Sequence, residues 1–97
     1  LEVGEIFFQS WDQREDLLRR AVVEGDAGTL RDVAHKVKGG ALNLSASLVA
    51  ELAGELEILG LQFRMEEADP VVQRLVTAVR RFRNVFQEEL AAERVVP

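Results

Sequence analysis

The sequence predicts an all-α fold, an antiparallel up-down-up-down four-helix bundle. Apolar residues recur at i, i+3 and i+4 along nearly the whole chain, and no alternating β-branched run is present to form a strand. Helix-stopping and helix-starting residues divide the chain into four stretches. The links between the first three stretches are short, which favours antiparallel neighbours and closure as a bundle.

The first helix is expected over about residues 3–24. Val3, Ile6, Phe7, Trp11, Leu17, Leu18, Ala21 and Val22 fall on one broad stripe, Gly25 stops it, and Arg14 lies within the stripe, reaching past its edge to water. Asp26 is placed to N-cap a second helix over about 27–43, where Leu30, Val33, Ala34, Val37, Ala41 and Leu44 repeat at three- and four-residue steps. Asn43 and Ser45 mark a break. A third helix follows over about 46–59, with Leu48, Leu52, Leu56 and Leu59 inward and Gly60 as its C-cap. The connection 60–69 is polar except for Leu61, Phe63 and Met65, which are expected to pack beneath it. Asp69-Pro70 reads as a cap followed by proline at the first helical position. The fourth helix then runs to about Glu93, with Val72, Leu75, Val76, Val79, Phe82, Phe86 and Leu90 inward.

Ninety-seven residues allow one core, and 47% apolar with 30% charged residues is globular composition. A formal charge of −5 argues against nucleic-acid binding, which needs a concentrated basic surface. No apolar run approaches the roughly 20 residues of a membrane span, and no signal peptide is visible. No membrane association and a cytoplasmic setting are therefore expected. The absence of cysteine removes disulfides and thiol catalysis. A single histidine cannot build a His-rich zinc site.

That histidine, His35, is singled out by helix geometry. At roughly 100° per residue, the apolar positions of the second helix span a sector of about 100°, and His35 lies about 150° from its centre. It faces water, together with Arg31, Lys38, Gly39 and Leu42, with Asp32 at the flank. A neutral imidazole is a nucleophile near pH 7. An ammonium one turn on, at Lys38, can offset the negative charge of a phosphoryl group held on the ring. A helix-interior glycine costs about 1 kcal/mol relative to alanine, and here two stand together. Gly39, at i+4, leaves open the space an incoming group needs. Each feature has a plainer reading: a lone surface histidine, glycines serving close helix packing (Gly40 above all), solvated surface charges. Their arrangement on one face is what favours chemistry. Asp32 and His35 both lie on the outer face, so a metal site between facing helices is discarded.

The stretch Ala34-His35-Lys36-Val37-Lys38-Gly39-Gly40-Ala41, continuing through Leu44 to Leu48 and Leu56-Glu57, closely resembles the histidine-containing phosphotransfer (HPt) domain family of two-component phosphorelays. Its pattern is His, any residue, an aliphatic residue, Lys, Gly, a small residue, then a turn into a leucine-rich helix. The resemblance implies that His35 is phosphorylated through the ring nitrogen farther from the backbone. It implies that Lys38 stabilises the phosphoryl oxygens and that Gly39 permits close docking. Glu57 matches a position where the family often has Glu or Gln near the imidazole; there it accepts a hydrogen bond from the other ring nitrogen. Its plainer reading is a surface carboxylate near a helix end. Most members carry glycine where this chain has Ser45, and serine as N-cap of the third helix implies a changed turn with the fold kept.

On this resemblance, residues 1–97 form a single HPt-like domain excised from a longer signalling protein, a phosphocarrier between receiver aspartates or a kinase. Its partners are receiver domains of response regulators, a histidine kinase, or both. No cofactor is expected on this domain, and Mg²⁺ is expected on the partner receiver. Docking is expected around Arg31, Leu42 and Phe8, the last at the edge of its helix's stripe. With no GxxxxGK[ST] loop, no autonomous ATPase or kinase activity is expected, whether or not the domain is part of a sensor histidine kinase. Two alternatives stand beside this reading: the phosphate-accepting domain of a chemotaxis-type histidine kinase, and a helical adaptor without phosphotransfer.

Overall fold

The computed structural model describes residues 3–95, and among them there are four α-helices and no strand. These are α1 (Val3–Glu24), α2 (Ala27–Asn43), α3 (Ser47–Leu61) and α4 (Ala68–Val95), the last entered through a 3₁₀ turn at Met65–Glu67. Contacts across the helices run in opposite senses. Phe7 of α1 meets Gly40 of α2, and Gly60 of α3 meets Ala27 and Arg31 of α2. Phe8 of α1 meets Phe82 and Phe86 of α4. Each pair joins the start of one helix to the end of the other, so the bundle is antiparallel throughout, with α2 and α3 the most closely packed pair.

The inward stripes make one core. Leu18, Leu30, Leu56 and Leu75 are fully buried at its centre, with Val37, Val72 and Val79, and no polar side chain is buried among the described residues. Phe7, Trp11 and Ala21 of α1 join it as expected, with Leu17 and Val22 half-buried. The side chain of Val3 lies outside the described residues. Ile6 is a correction: it is 52% exposed, being one residue, about 100°, round from Phe7. Leu48 is a second, at 55% exposed. It stands eight residues before Leu56, which turns it about 80° off the buried face, and Val49 takes the inward place. Phe82, Phe86 and Leu90 are half-buried, because only α1 covers that end of α4.

Asp26 caps α2 as the sequence predicts, its carboxylate accepting from Thr29 N at 3.1 Å and Thr29 Oγ1 at 2.7 Å. The helix C-termini differ from expectation in an informative way. All three helix-to-helix turns close in the same manner. The residue after the C-cap takes a left-handed backbone, and two amides reach back to the orphan carbonyls of the last turn. In the first turn these are Gly25 N to Val22 O at 3.3 Å and Asp26 N to Ala21 O at 2.8 Å. In the second they are Ser45 N to Leu42 O at 3.1 Å and Ala46 N to Ala41 O at 2.9 Å. In the third they are Phe63 N to Gly60 O at 3.2 Å and Arg64 N to Leu59 O at 2.9 Å. The left-handed residues are Gly25 (φ 68), Ser45 (φ 57) and Phe63 (φ 56).

Ser45 therefore does not cap α3. Ala46 occupies that position with no side-chain bond, because Ser45 is needed in the left-handed place that closes α2. The turn expected to change keeps the conformation glycine adopts most readily, with a serine in it. A left-handed L-residue costs roughly 1–2 kcal/mol, against 0.5–1 kcal/mol of extra chain entropy lost by glycine. Ser45→Gly is expected to stabilise the domain by about 0.5–1 kcal/mol, raising the thermal midpoint by several degrees; an unchanged or lower midpoint would show that the serine is not strained.

Gly60 is not the C-cap of α3. It is buried within that helix, where a β-carbon would lie 2.9 Å from Ala27 O and 3.0 Å from Arg31 Cβ. Its lack of a side chain lets α3 approach the start of α2, and α3 continues to Leu61, with Gln62 as C-cap. Of the three apolar residues in the connection only Met65 packs on the core. Leu61 is 54% exposed and Phe63 79% exposed. At α4 the 3₁₀ turn feeds directly into Ala68, fully buried, so the helix starts two residues before Pro70. Asp69 is thus inside the first turn, accepting from Gln73 Nε2 at 2.8 Å, and Pro70 is tolerated there because early amides have no helical partner.

Candidate functional site

Helix α2 buries Leu30, Val33, Ala34, Val37 and Ala41, and this anchorage turns His35 outward. Its side chain is 67% exposed. The antiparallel register of α3 brings Glu57, mostly shielded, alongside. Glu57 Oε2 lies 2.8 Å from His35 Nδ1, and Oε1 lies 2.6 Å from Lys38 Nζ. One carboxylate thus spans two residues that α2 presents one turn apart. Gly54, one turn before Glu57, leaves room for the lysine stem, since a β-carbon there would meet Lys38 Cδ at 3.6 Å. The hydrogen bond from Lys38 and, less strongly, that from His35 hold the Glu57 carboxyl below the usual glutamate range, against the opposing effect of desolvation. Glu57 is therefore ionised at neutral pH.

An ionised carboxylate can only accept, so the proton of a neutral imidazole sits on Nδ1 and the lone pair is on Nε2. Nε2 makes no hydrogen bond among the described residues. The arrangement can therefore present a nucleophilic nitrogen to an approaching electrophile with its tautomer and ring orientation held from behind. Glu57 also lies where it can oppose positive charge that develops on the ring when Nε2 forms a bond.

Around the imidazole a shallow cleft is lined by Arg31, Asp32, Lys36 and Glu57. Arg31 Nε donates to Asp32 Oδ1 at 3.1 Å, so its guanidinium is already partnered. Leu42 is 61% exposed. The two glycines separate cleanly. A β-carbon on Gly39 would meet nothing within 4 Å, whereas one on Gly40 would lie 2.9 Å from Phe7 Cδ1. Phe7 is 5% exposed and stacked on Trp11, so its ring has little freedom to yield. Gly39→Ala is expected to raise stability by up to about 1 kcal/mol through helix propensity alone. Gly40→Ala is expected to lower it by about 1 kcal/mol, overpacking of roughly 1–3 kcal/mol exceeding the same gain. Thermal unfolding of the two variants checks the opposite signs.

Phe8, expected at the docking rim, is placed elsewhere. Its ring packs on Phe82 at 5.7 Å and Phe86 at 5.5 Å, with the Arg83 guanidinium 4.9 Å from its centroid. Arg83 Nη2 also donates to Phe8 O at 3.0 Å. Phe8 lines a groove between α1 and α4 that shares no residue with the cleft at His35. The reason is rotational: Phe7, one residue earlier, faces α2, which turns Phe8 toward α4. What the sequence reading missed is the Lys38–Glu57 pair. Glycine at 54, one turn before the carboxylate, was the available signal for it.

Among the described residues there is no cluster of three or more His, Cys, Asp or Glu able to hold a metal, and no helix long and apolar enough to cross a membrane. Comparison with known proteins gives a match to the family model described as Hpt domain, over residues 2–93. No curated protein and no solved structure matches the chain significantly.

Proposed function

The chain belongs to the Hpt domain family, the phosphocarriers of two-component phosphorelays, and from that membership we propose that His35 is its phosphoryl acceptor and donor. The observation that carries this reading is the pairing at Nδ1: an exposed imidazole whose inner nitrogen is held at 2.8 Å by Glu57, leaving Nε2 toward solvent.

Hpt domains exchange phosphoryl groups with receiver domains and kinases. In the proposed transfer, the Nε2 lone pair attacks the phosphorus of a receiver's aspartyl phosphate. The N–P bond forms, the acyl P–O bond breaks, and its electron pair stays on the aspartate carboxylate. The proton on Nδ1 does not leave. The phosphorylated ring is consequently cationic, and Glu57 stabilises that charge through the existing hydrogen bond. Delivery to a second receiver is the same step reversed. Lys38, held by Glu57 before transfer, is one turn from His35 and is drawn toward the phosphoryl oxygens as their charge arrives. Transfer of this kind depends on positioning and charge more than on covalent help from the protein. Mg²⁺ belongs to the receiver's pocket in this scheme.

Gly39 keeps the approach open for a partner, since nothing in this chain needs the space. The proposal is tested by incubating the domain with phosphorylated receivers and with a labelled histidine kinase. Label must appear on the domain in an acid-labile, alkali-stable form, as a phosphorus–nitrogen bond requires. Label stable in acid, or none from any donor, would overturn it.

A further inference from the structure

Three helix ends in this bundle use one left-handed turn, and only the first supplies it with glycine. At the end of α3 the position is held by Phe63, a bulky residue for which this backbone is least suited. The ring gains nothing from the fold in return, being 79% exposed. The turn around it is nonetheless firmly held. Arg64 donates to both oxygens of Glu67, each at 2.6 Å, and to Gln62 Oε1 at 2.9 Å. A strained backbone thus presents an aromatic side chain to solvent from a rigid base.

Phe63 is not isolated. Leu61 is 54% exposed and Ile58 52% exposed on the last turn of α3. Leu61 is four residues after Glu57, so it continues the Glu57 edge of the helix, about 6 Å along the axis. Phe63 lies about 9 Å beyond Glu57 by the same rise. A partner covering about 800 Å² around His35 reaches that far in every direction.

We propose that Leu61 and Phe63 extend the His35 docking face past the end of α3, and that the occupant is the receiver domain whose aspartate exchanges with His35. This rests on the reading of His35 given above. The receiver it fits offers an apolar depression beside its phosphorylation pocket, into which the Phe63 ring inserts as an anchor. Continuity with the His35 cleft favours this occupant over a second copy of the chain.

The test uses Phe63→Gly, with Leu61→Ser as a variant that leaves the turn untouched. Phe63→Gly is expected to raise the thermal midpoint by a few degrees, because glycine suits the left-handed backbone. Both variants are expected to raise the KM for phosphorylated receiver roughly tenfold or more with kcat little changed. Labelling of His35 by phosphoramidate, a small donor that needs no docking, stays at the wild-type rate. Wild-type KM in both variants overturns the proposal while leaving the role of His35 intact. So does an equal loss with phosphoramidate, which would place the effect on the chemistry. A fall in oligomer mass on sedimentation with KM unchanged would assign the patch to a second copy and overturn it as well. Should His35→Gln still take label from the receiver, the function reading itself fails, and that result is distinct from the others.

Discussion

His35→Gln is expected to abolish phosphoryl acceptance, reducing label from receiver and kinase to background. Glutamine keeps a polar side chain of similar reach but has no nucleophilic nitrogen, since its amide lone pair is delocalised into the carbonyl. No neighbouring group can substitute, because this is the only histidine in the chain. The Lys38 ammonium is occupied by Glu57 at 2.6 Å. The fold should not register the change. With the side chain 67% exposed, substitution falls among surface changes of within about 0.5 kcal/mol. Loss of label with an unchanged thermal midpoint is the expected pair of results. Persistence of label on the variant would remove His35 from the mechanism.

Glu57→Ala is expected to reduce the rate of transfer by about 10–100-fold, the range found when a partner orienting a functional histidine is removed. Three effects combine. The imidazole loses the acceptor that holds Nδ1–H and with it the fixed tautomer. The cationic phosphorylated ring loses its counter-charge. Lys38 is released from its resting position and gains freedom that must be lost again on binding the phosphoryl group. Glu57→Gln separates them, because the amide oxygen still accepts from Nδ1 while the negative charge is gone; its rate should fall between wild type and Glu57→Ala. Single-turnover transfer from a phosphorylated receiver measures all three proteins, and equal rates would reduce Glu57 to a surface carboxylate.

The pH dependence follows from the direction in which the Glu57 carboxyl is shifted. Its pairing with Lys38 first, and with His35, holds it below the usual glutamate range. Whatever stability the pairing contributes is therefore fully present above the ordinary glutamate value. It is lost as pH falls through the lowered one. Near neutrality the carboxylate is charged, so it does not limit transfer there.

Much of this molecule was legible in one dimension. Helix periodicity gave the four elements, and α1 and α2 begin and end where Gly25, Asp26 and Asn43 say they should. The outward direction of His35 followed from the apolar sector of its own helix, a local property that needs no neighbour. The turns were less legible. Ser45 and Gly60 are a good capping residue and a good stop signal by composition, yet each was assigned the wrong part. Ser45 is used for its backbone and not its hydroxyl, and Gly60 for its missing side chain. The exposure of Phe63 had no sequence signal either, because an apolar residue in a polar connection reads as one that packs.

The chain by itself determined which residues form helices and which face of each is dry, because both depend on side-chain spacing within about two turns. Only the packed bundle decided what stands beside what. The register of α3 against α2 places Glu57 between His35 and Lys38, and it seats Gly60 where no side chain fits. Rotation of α1 sends Phe8 to α4 and Phe7 to Gly40. These outcomes depend on how two curved surfaces interlock, and residues far apart in sequence set that fit jointly.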